Sequence, residues 1–417
     1  MRSFRVFWMA LGVLTPGLLS QEGADIGTAL MEDPAVKAAL DAAQRFEPQT
    51  LEDQIRLCEI PAPPFQEGRR AEALRRTFEE SGLENVRIDE VGNVLGERPG
   101  QSRRPHLVFS AHLDTVFPEG TNVKVAREGT SLKGPGIADD CRGLAVVIGV
   151  IRALNHAKIR TPGTITFVGT VGEEGLGDLR GVKNLFERSL SDAIDRFVSV
   201  DGTGPAITHI AVGSYRYRVK YKGSGGHSYG AFGMANPIHA LGRAIGKIAE
   251  FQVQKDPKTT FNVGRIGGGT SVNSIAHEAW MEVDLRSADK DSLQALEDRF
   301  RKVIGQALTE ENERWANRGK LSLIAELSGL RPPGRTAESS PIVQAAVSVN
   351  KALGLPVRLA EGSTDSNIPM SLNIPAITIG GGGTGTGAHS LDEAFDSTDS
   401  WRGTQRAALL AIALALN

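Results

Sequence analysis

The sequence predicts an α/β fold, a mostly parallel sheet flanked by helices, with a smaller α+β domain inserted into it. Near-continuous apolar runs at Leu107–Ala111, Thr164–Val171, Phe197–Val200 and Pro375–Ile379 alternate with helical patterns. Strands that are apolar on both faces belong to a parallel sheet covered on both sides. From about Gly213 to Ser328 the texture changes. Tyr215, Tyr217, Val219 and Tyr221 alternate there with Arg216, Arg218, Lys220 and Lys222, the period of two that marks a half-exposed strand.

At the start, MRSFRVFWMALGVLTPGLLS sets Arg2 and Arg5 ahead of an apolar run from Phe7 to Leu19, the layout of a secretory signal peptide over residues 1–20. The run is too short to span a bilayer comfortably, so a secreted or periplasmic chain without stable membrane embedding is expected. Residues 21–48 read as a linker and one leading helix. Leu51–Ile60 and Glu67–Ser81 carry apolar residues at helical spacing, Val86–Asp89 reads as a strand, and Arg142–Ala157 is a strongly apolar helix. In the insertion, a helix at Pro237–Phe251, strands near Thr259–Ile266 and Ala279–Leu285, a helix at Asp291–Thr309 and a strand near Leu321–Leu327 complete a β-α-β-β-α-β order. The expected division is residues 49–212 with 329–417 as the larger domain and 213–328 as the insert.

A chain of 417 residues with 40% apolar and 23% charged content can bury a large core in two domains. Its formal charge of -2 supplies no basic field of the kind that draws a protein onto nucleic acid. Gly134–Gly136 and Gly175–Gly177 do not complete G-x-G-x-x-G, and Gly380–Gly387 lacks a G-K-[ST] ending, which excludes a nucleotide loop. The Gly380–Gly387 run is read instead as letting backbone approach a substrate. Cys58 and Cys141 are too few for a disulfide framework and are read as free thiols, with a single bridge as the alternative.

Chemistry-bearing residues follow the predicted strands. His112 and Asp114 come after Leu107–Ala111, Glu173 and Glu174 after Thr164–Val171, Asp201 after Phe197–Val200, and His389 after Pro375–Ile379. Ligands of an open α/β sheet bind beyond the carboxyl ends of its strands, so these segments deliver acids and imidazoles to one edge. Each alone has an ordinary structural reading: a turn for His112–Asp114, a helix N-cap for Asp139–Asp140, a solvated loop for Glu173–Glu174. Together they are the donors that zinc takes at a catalytic site. Two close metals share a carboxylate, and Asp139 in GPGIADD is placed to be it. Glu173, beside a ligand but outside the ligand set, suits a general base.

These residues resemble the co-catalytic zinc exopeptidases and amidohydrolases, the family of peptidase T, glutamate carboxypeptidase, aminoacylase, acetylornithine deacetylase and succinyl-diaminopimelate desuccinylase. SAHLDTV, GPGIADD, GEEGLGDLRG, SVDGTG, GSGGHS and GAHSLDE look like its signatures in their usual order, across nearly the whole mature chain. The resemblance implies that His112 and Asp201 bind one zinc, Glu174 and His389 the other, and that Asp139 bridges, with cobalt or manganese as alternative metals. It implies that Asp114 orients His112 and that the Asp139–Asp140 peptide is cis. Cys141–Arg142 departs from the Lys-Gly that many relatives carry there. The insert resembles the family's ferredoxin-like lid and dimerisation domain, so a homodimer is expected. His227 resembles the histidine that stabilises the oxyanion, often in the partner's site. Asn273 and Arg286 match lid residues that hold the substrate carboxylate, and Ser363, Thr364, Asp365 and Asn367 lie in a segment that lines the substrate pocket.

The expected function is a di-zinc exopeptidase acting on di- or tripeptides. An N-acyl amino-acid deacylase using the same site is the close alternative. Asp at position 201 tends in the family to accompany aminopeptidases, dipeptidases and aminoacylases. A catalytically inactive binding or dimer scaffold would have no need of Glu173, and a dinuclear phosphoesterase fits less well with lid residues that resemble carboxylate-binding ones.

Overall fold

A computed structural model describes residues 25–191 and 193–416. The expected signal peptide, residues 1–20, lies outside the described residues. The chain divides into two compact units, one running to His209 and resuming at Arg335, the other Ile210–Gly334.

The first unit is built on one large sheet. Its centre is parallel, with Thr164–Thr170, His106–His112, Arg196–Val200 and Ala376–Ile379 side by side in that order. Outside them the sheet turns antiparallel, through Val94–Arg98 and Glu84–Ile88 on one side and Ala206–Ala211 on the other. Val94–Arg98 was not expected, because only its first two residues are apolar and its polar half gives no period. The central strands are buried along nearly their whole length, which is why they read as continuous apolar runs.

The helix Cys141–His156 is apolar almost all round because it is enclosed. It packs on the strand His106–His112 and also against the helices Pro34–Arg45, Glu47–Cys58 and Trp401–Leu414, so no face is left for water. Ahead of it, residues 26–45 form two helices rather than one, Ile26–Met31 and Pro34–Arg45. The break falls at Asp33, whose carboxylate accepts from the N–H groups of Ala35 and Val36, and at Pro34, which opens the second helix.

The second unit is an antiparallel sheet in the order Thr259–Gly268, Glu278–Ser287, Gly213–Lys222, Ser322–Arg331. Helices Pro237–Ala249 and Lys290–Arg314 cover the face that presents Tyr217, Val219 and Tyr221, so the alternating pattern sorts as the period of two requires. Lys290–Arg314 extends past the expected Thr309. Its polar last turn is held by buried Glu311, which accepts from Asn236 N–H, Arg243 Nε and Trp315 Nε1 at 3.1, 3.0 and 2.9 Å.

Candidate metal centre

His112 ends its strand with a ring that is 1% exposed. Its Nδ1 lies 2.9 Å from the main-chain oxygen of Asp114, and its Nε2 lies 3.0 Å from Oδ1 of Asp139. The other oxygen of Asp139, Oδ2, is 3.2 Å from Nε2 of His389, which also meets Oε1 of Glu174 at 2.9 Å. Asp139 therefore stands between two imidazoles, one on each oxygen. Asp201 follows the strand Arg196–Val200 and is fixed by its N–H, which donates to Ile379 O at 3.0 Å.

Donor atoms of these residues gather into groups within 4.8 Å: His112, Asp139 and Asp201; Asp139, Glu174 and His389; and His112, Glu173 and Glu174. The first two share Asp139. Imidazole nitrogens mixed with carboxylate oxygens suit zinc, and cobalt or manganese as well. The electrostatics also call for cations. Desolvation, reinforced by the charge of Asp139, pushes the Asp201 carboxyl up to about 7. Hydrogen bonds to Asp139 and Glu174 push the His389 ring up to about 10. Burial opposes a charged His112, but Asp139 and the neighbouring carboxylates still raise its pKa. Protons here partly neutralise crowded carboxylates, a task that divalent cations perform better.

The paired acids at 139 and 140 split the two readings open to them. Asp139 faces the imidazoles, while Asp140, fully buried, accepts from Gly143 N–H at 3.0 Å and caps the helix that follows. Its second oxygen takes the His112 N–H at 3.1 Å, and the peptide joining the two acids is cis. Asp114 braces the site differently from the way the resemblance implies. Its carboxylate accepts from the N–H groups of Glu173 and Glu174 at 2.9 and 2.8 Å and lies 3.8 Å from His112 Nδ1. It orients the glutamates with its side chain and the histidine with its carbonyl. Burial raises Asp114 to about 6, against the pull of His112 and those N–H groups.

Two expectations change. His389 is not delivered by the strand Ala376–Ile379. It sits in the loop between the short strands Thr384–Thr386 and Ala394–Asp396, at φ 65°, a left-handed conformation unusual for histidine. Gly380 and Gly382 before it are closely packed against other backbone. A Cβ at Gly380 would lie 2.5 Å from Gly204 O, and one at Gly382 would lie 2.6 Å from Gly403 N. Asp365 and Asn367 are fully buried rather than pocket-lining. Asp365 accepts from Thr170 Oγ1 at 2.5 Å, and Asn367 Oδ1 accepts from Thr364 N–H at 2.9 Å. Nothing in the sequence signals Glu393, and Arg142 stands out there only as a departure from the Lys-Gly of many relatives. Arg142 is fully buried, pairs with Glu47 at 2.9 Å and donates to Gly381 O and Ser400 O. It anchors the residues flanking the site where a Lys-Gly pair could not.

In the second unit, His227 and Asn273 lie together. The two-residue strand Gly226–His227 pairs with Ser274–Ile275, and Asn273 O accepts from Ser228 N–H at 2.9 Å. His227 Nδ1 accepts from the N–H groups of Tyr229 and Gly230 at 3.2 and 3.3 Å. The proton of the neutral ring therefore sits on Nε2. Arg286 is elsewhere. It opposes Ser214 near the far end of the strand Glu278–Ser287, with Nε 2.6 Å from Asp284. The ribbon that carries His227 joins the Glu278 end, where Gly223 N–H donates to His277 O at 2.9 Å.

A central parallel sheet with imidazoles and carboxylates gathered beyond its strands defines a metal-binding hydrolase. The match to the model of peptidase family M20/M25/M40 over residues 108–413 places the chain in that family, as a hydrolase acting on amide bonds. The chain is 26% identical over 350 residues to the uncharacterized protein YqjE of Bacillus subtilis strain 168, covering 80% of this chain and 90% of that one. It is 29% identical over 280 residues to a succinyl-diaminopimelate desuccinylase of Nitrosospira multiformis, covering 62% and 72%. A tripeptidase of Staphylococcus aureus has a similar fold, with a TM-score of 0.72 at 23% identity, covering 88% of this chain and 98% of that one.

Proposed function

We propose that this chain is a two-zinc exopeptidase that cleaves di- or tripeptides. The observation that carries this reading is Asp139, which two donor groups share, with Glu173 beside them in the third. His112, Asp139 and Asp201 would hold one cation, and Asp139, Glu174 and His389 the other. Two such cations, when bound, supply Lewis acidity for an amide carbonyl and make water more acidic.

Glu173 is held close to the site by its own main-chain N–H, which Asp114 fixes. Its carboxylate takes the proton of the attacking water and passes it to the leaving amine. His227 presents Nε2–H to the oxyanion, a role its tautomer suits. Arg286 and Asn273 hold the carboxylate of the substrate, Arg286 through its planar fork.

The spacing of these lid residues favours cooperation of two copies of the chain on one substrate. Glu278 and Arg286 are eight positions apart on one strand, roughly 26 Å at the rise of a β-strand. A tripeptide spans only about 11 Å. With the ribbon joining the Glu278 end of that strand, this spacing supports a homodimer in which Arg286 and the His227–Asn273 ribbon of one chain serve different substrates. The layout at Arg2, Arg5 and Phe7–Leu19 supports export.

A second reading, an N-acyl amino-acid deacylase with the same machinery, is favoured by the desuccinylase among the sequence relatives. Asp201, in the place where the resemblance associates Asp with aminopeptidases, dipeptidases and aminoacylases, favours the peptidase. The deciding experiment measures metal content together with hydrolysis of dipeptides, tripeptides and N-acyl amino acids. Two metals per chain with peptides turned over fastest is expected. Faster turnover of N-acyl amino acids would establish the second reading, and one metal or none would overturn both.

A further inference from the structure

Glu393 lies four residues beyond His389 and is 1% exposed. Its carboxylate accepts three main-chain N–H groups from the segment that ends in Asp139. Oε2 takes Gly136 N–H at 3.0 Å, and Oε1 takes Ala138 N–H at 2.8 Å and Asp139 N–H at 3.0 Å. Its main-chain oxygen accepts a fourth, from Gly134 at 3.0 Å. Just outside these contacts, the strands Ser131–Lys133 and Ala394–Asp396 pair, with Lys133 opposite Ala394. Two segments distant in sequence are thus closed onto each other, one ending in Asp139 and the other holding His389.

The chemistry of the clamp requires a carboxylate. Three N–H groups converge on one side chain, and a carboxamide would offer a single acceptor oxygen while turning an NH₂ group toward a donor. Another buried negative charge beside Asp139 is unfavourable in itself, so the geometry it secures must outweigh that cost. The two donor groups also differ in their need for it. His112 is buried on a strand, and Asp201 is tied to Ile379. His389 is half exposed, and its ring nitrogen Nε2 meets only carboxylates of the site itself, those of Asp139 and Glu174.

We infer that Glu393 is a positioning residue for the cation held by Asp139, Glu174 and His389, locking the Asp139 and His389 segments into one rigid piece. The inference rests on the two-cation reading above. It predicts a selective defect. With zinc as the probe, equilibrium dialysis against graded chelator should show two equivalents on the unaltered chain. In Glu393→Gln one equivalent should weaken about 10–100-fold, the effect of removing a partner that orients a metal ligand, while the other stays as before. Equal weakening of both, or binding of both as in the unaltered chain, would overturn the inference.

Amide hydrogen exchange on the unaltered, metal-free chain is the second measurement, needed if Glu393→Gln does not fold. The N–H groups of Gly136, Ala138 and Asp139 should exchange as slowly as those of the core strand His106–His112, and exchange at surface-loop rates would overturn the clamp. Fewer than two zinc ions on the unaltered chain would count against the two-cation reading, and the exchange rates would still decide whether the clamp exists.

Discussion

The metal centre of the first unit and the lid constellation of the second are built on opposite plans. His112, Asp114, Glu173 and Glu174 are all buried, and each is braced by another member of the site or by the main chain. His227 and Asn273 are exposed, and Arg286 is half exposed, with supports that are local turns and one neighbouring carboxylate. His389 is the exposed member of the donor set, and the buried ones keep their geometry through packing and shared hydrogen bonds, which is what holding a cation demands. Residues that grip a substrate have to stay open to solvent until it arrives. The first unit thus brings its candidate ligands together within one chain, whereas the exposed His227 and Asn273 and half-exposed Arg286 have only local supports.

Removing Glu173, the proposed base, tests this contrast most severely. Glu173→Ala should lower turnover by roughly 10²–10⁴-fold while zinc content, measured on the purified variant, stays at the unaltered level. Loss of zinc in step with activity would make Glu173 a ligand. A somewhat smaller effect belongs to the lid: His227→Ala should reduce kcat by roughly 10²–10³-fold with zinc content unchanged. If His227 acts across a dimer, mixing His227→Ala with inactive Glu173→Ala chains should recover activity in the mixed dimers, and no recovery would place His227 on its own site. Arg286→Ala should raise KM by roughly 10–100-fold for substrates with a free carboxylate, and far less for their amides. An equal rise for both would remove Arg286 from carboxylate recognition.

The smallest effect expected is a pH dependence confined to the first unit. Folding raises the Asp201 carboxyl from 3.8 to about 7 and the His389 ring from 6.5 to about 10. Both groups then bind protons more tightly in the folded chain, so the metal-free protein loses stability as pH rises through those windows. Urea unfolding in chelator at pH 6.5 and pH 10 should show lower stability at the higher pH. Zinc affinity should move the other way and strengthen as pH rises, because the ligands must release protons. Stability that increased with pH in the metal-free chain would contradict the charge arrangement described for the centre.

Much of this was legible in the residues themselves. The parallel centre of the sheet announced itself because strands buried on both faces must be apolar throughout, and the lid strand at Tyr217, Val219 and Tyr221 because a strand buried on one face must alternate. Placing His112, Glu174 and Asp201 just beyond such strands required only that reading. The strand Val94–Arg98, paired on both sides, escaped it, since its polar second half leaves no period. The break at Asp33–Pro34 carries a sequence signal, a capping Asp followed by an N1 proline.

What the tertiary structure alone decided concerns partners distant in the chain. Nothing in GAHSLDE reveals that Glu393 turns back to hold the N–H groups of Gly136, Ala138 and Asp139. Asp114 and Asp140 likewise found their acceptor roles only when neighbouring strands brought Glu173, Glu174 and His112 alongside. The residue types and their places at strand ends are local properties, set by burial and period. Which carboxylate takes a cation, which caps a helix and which clamps a loop depends on the donors that folding delivers within 3 Å, and periodicity carries no record of them.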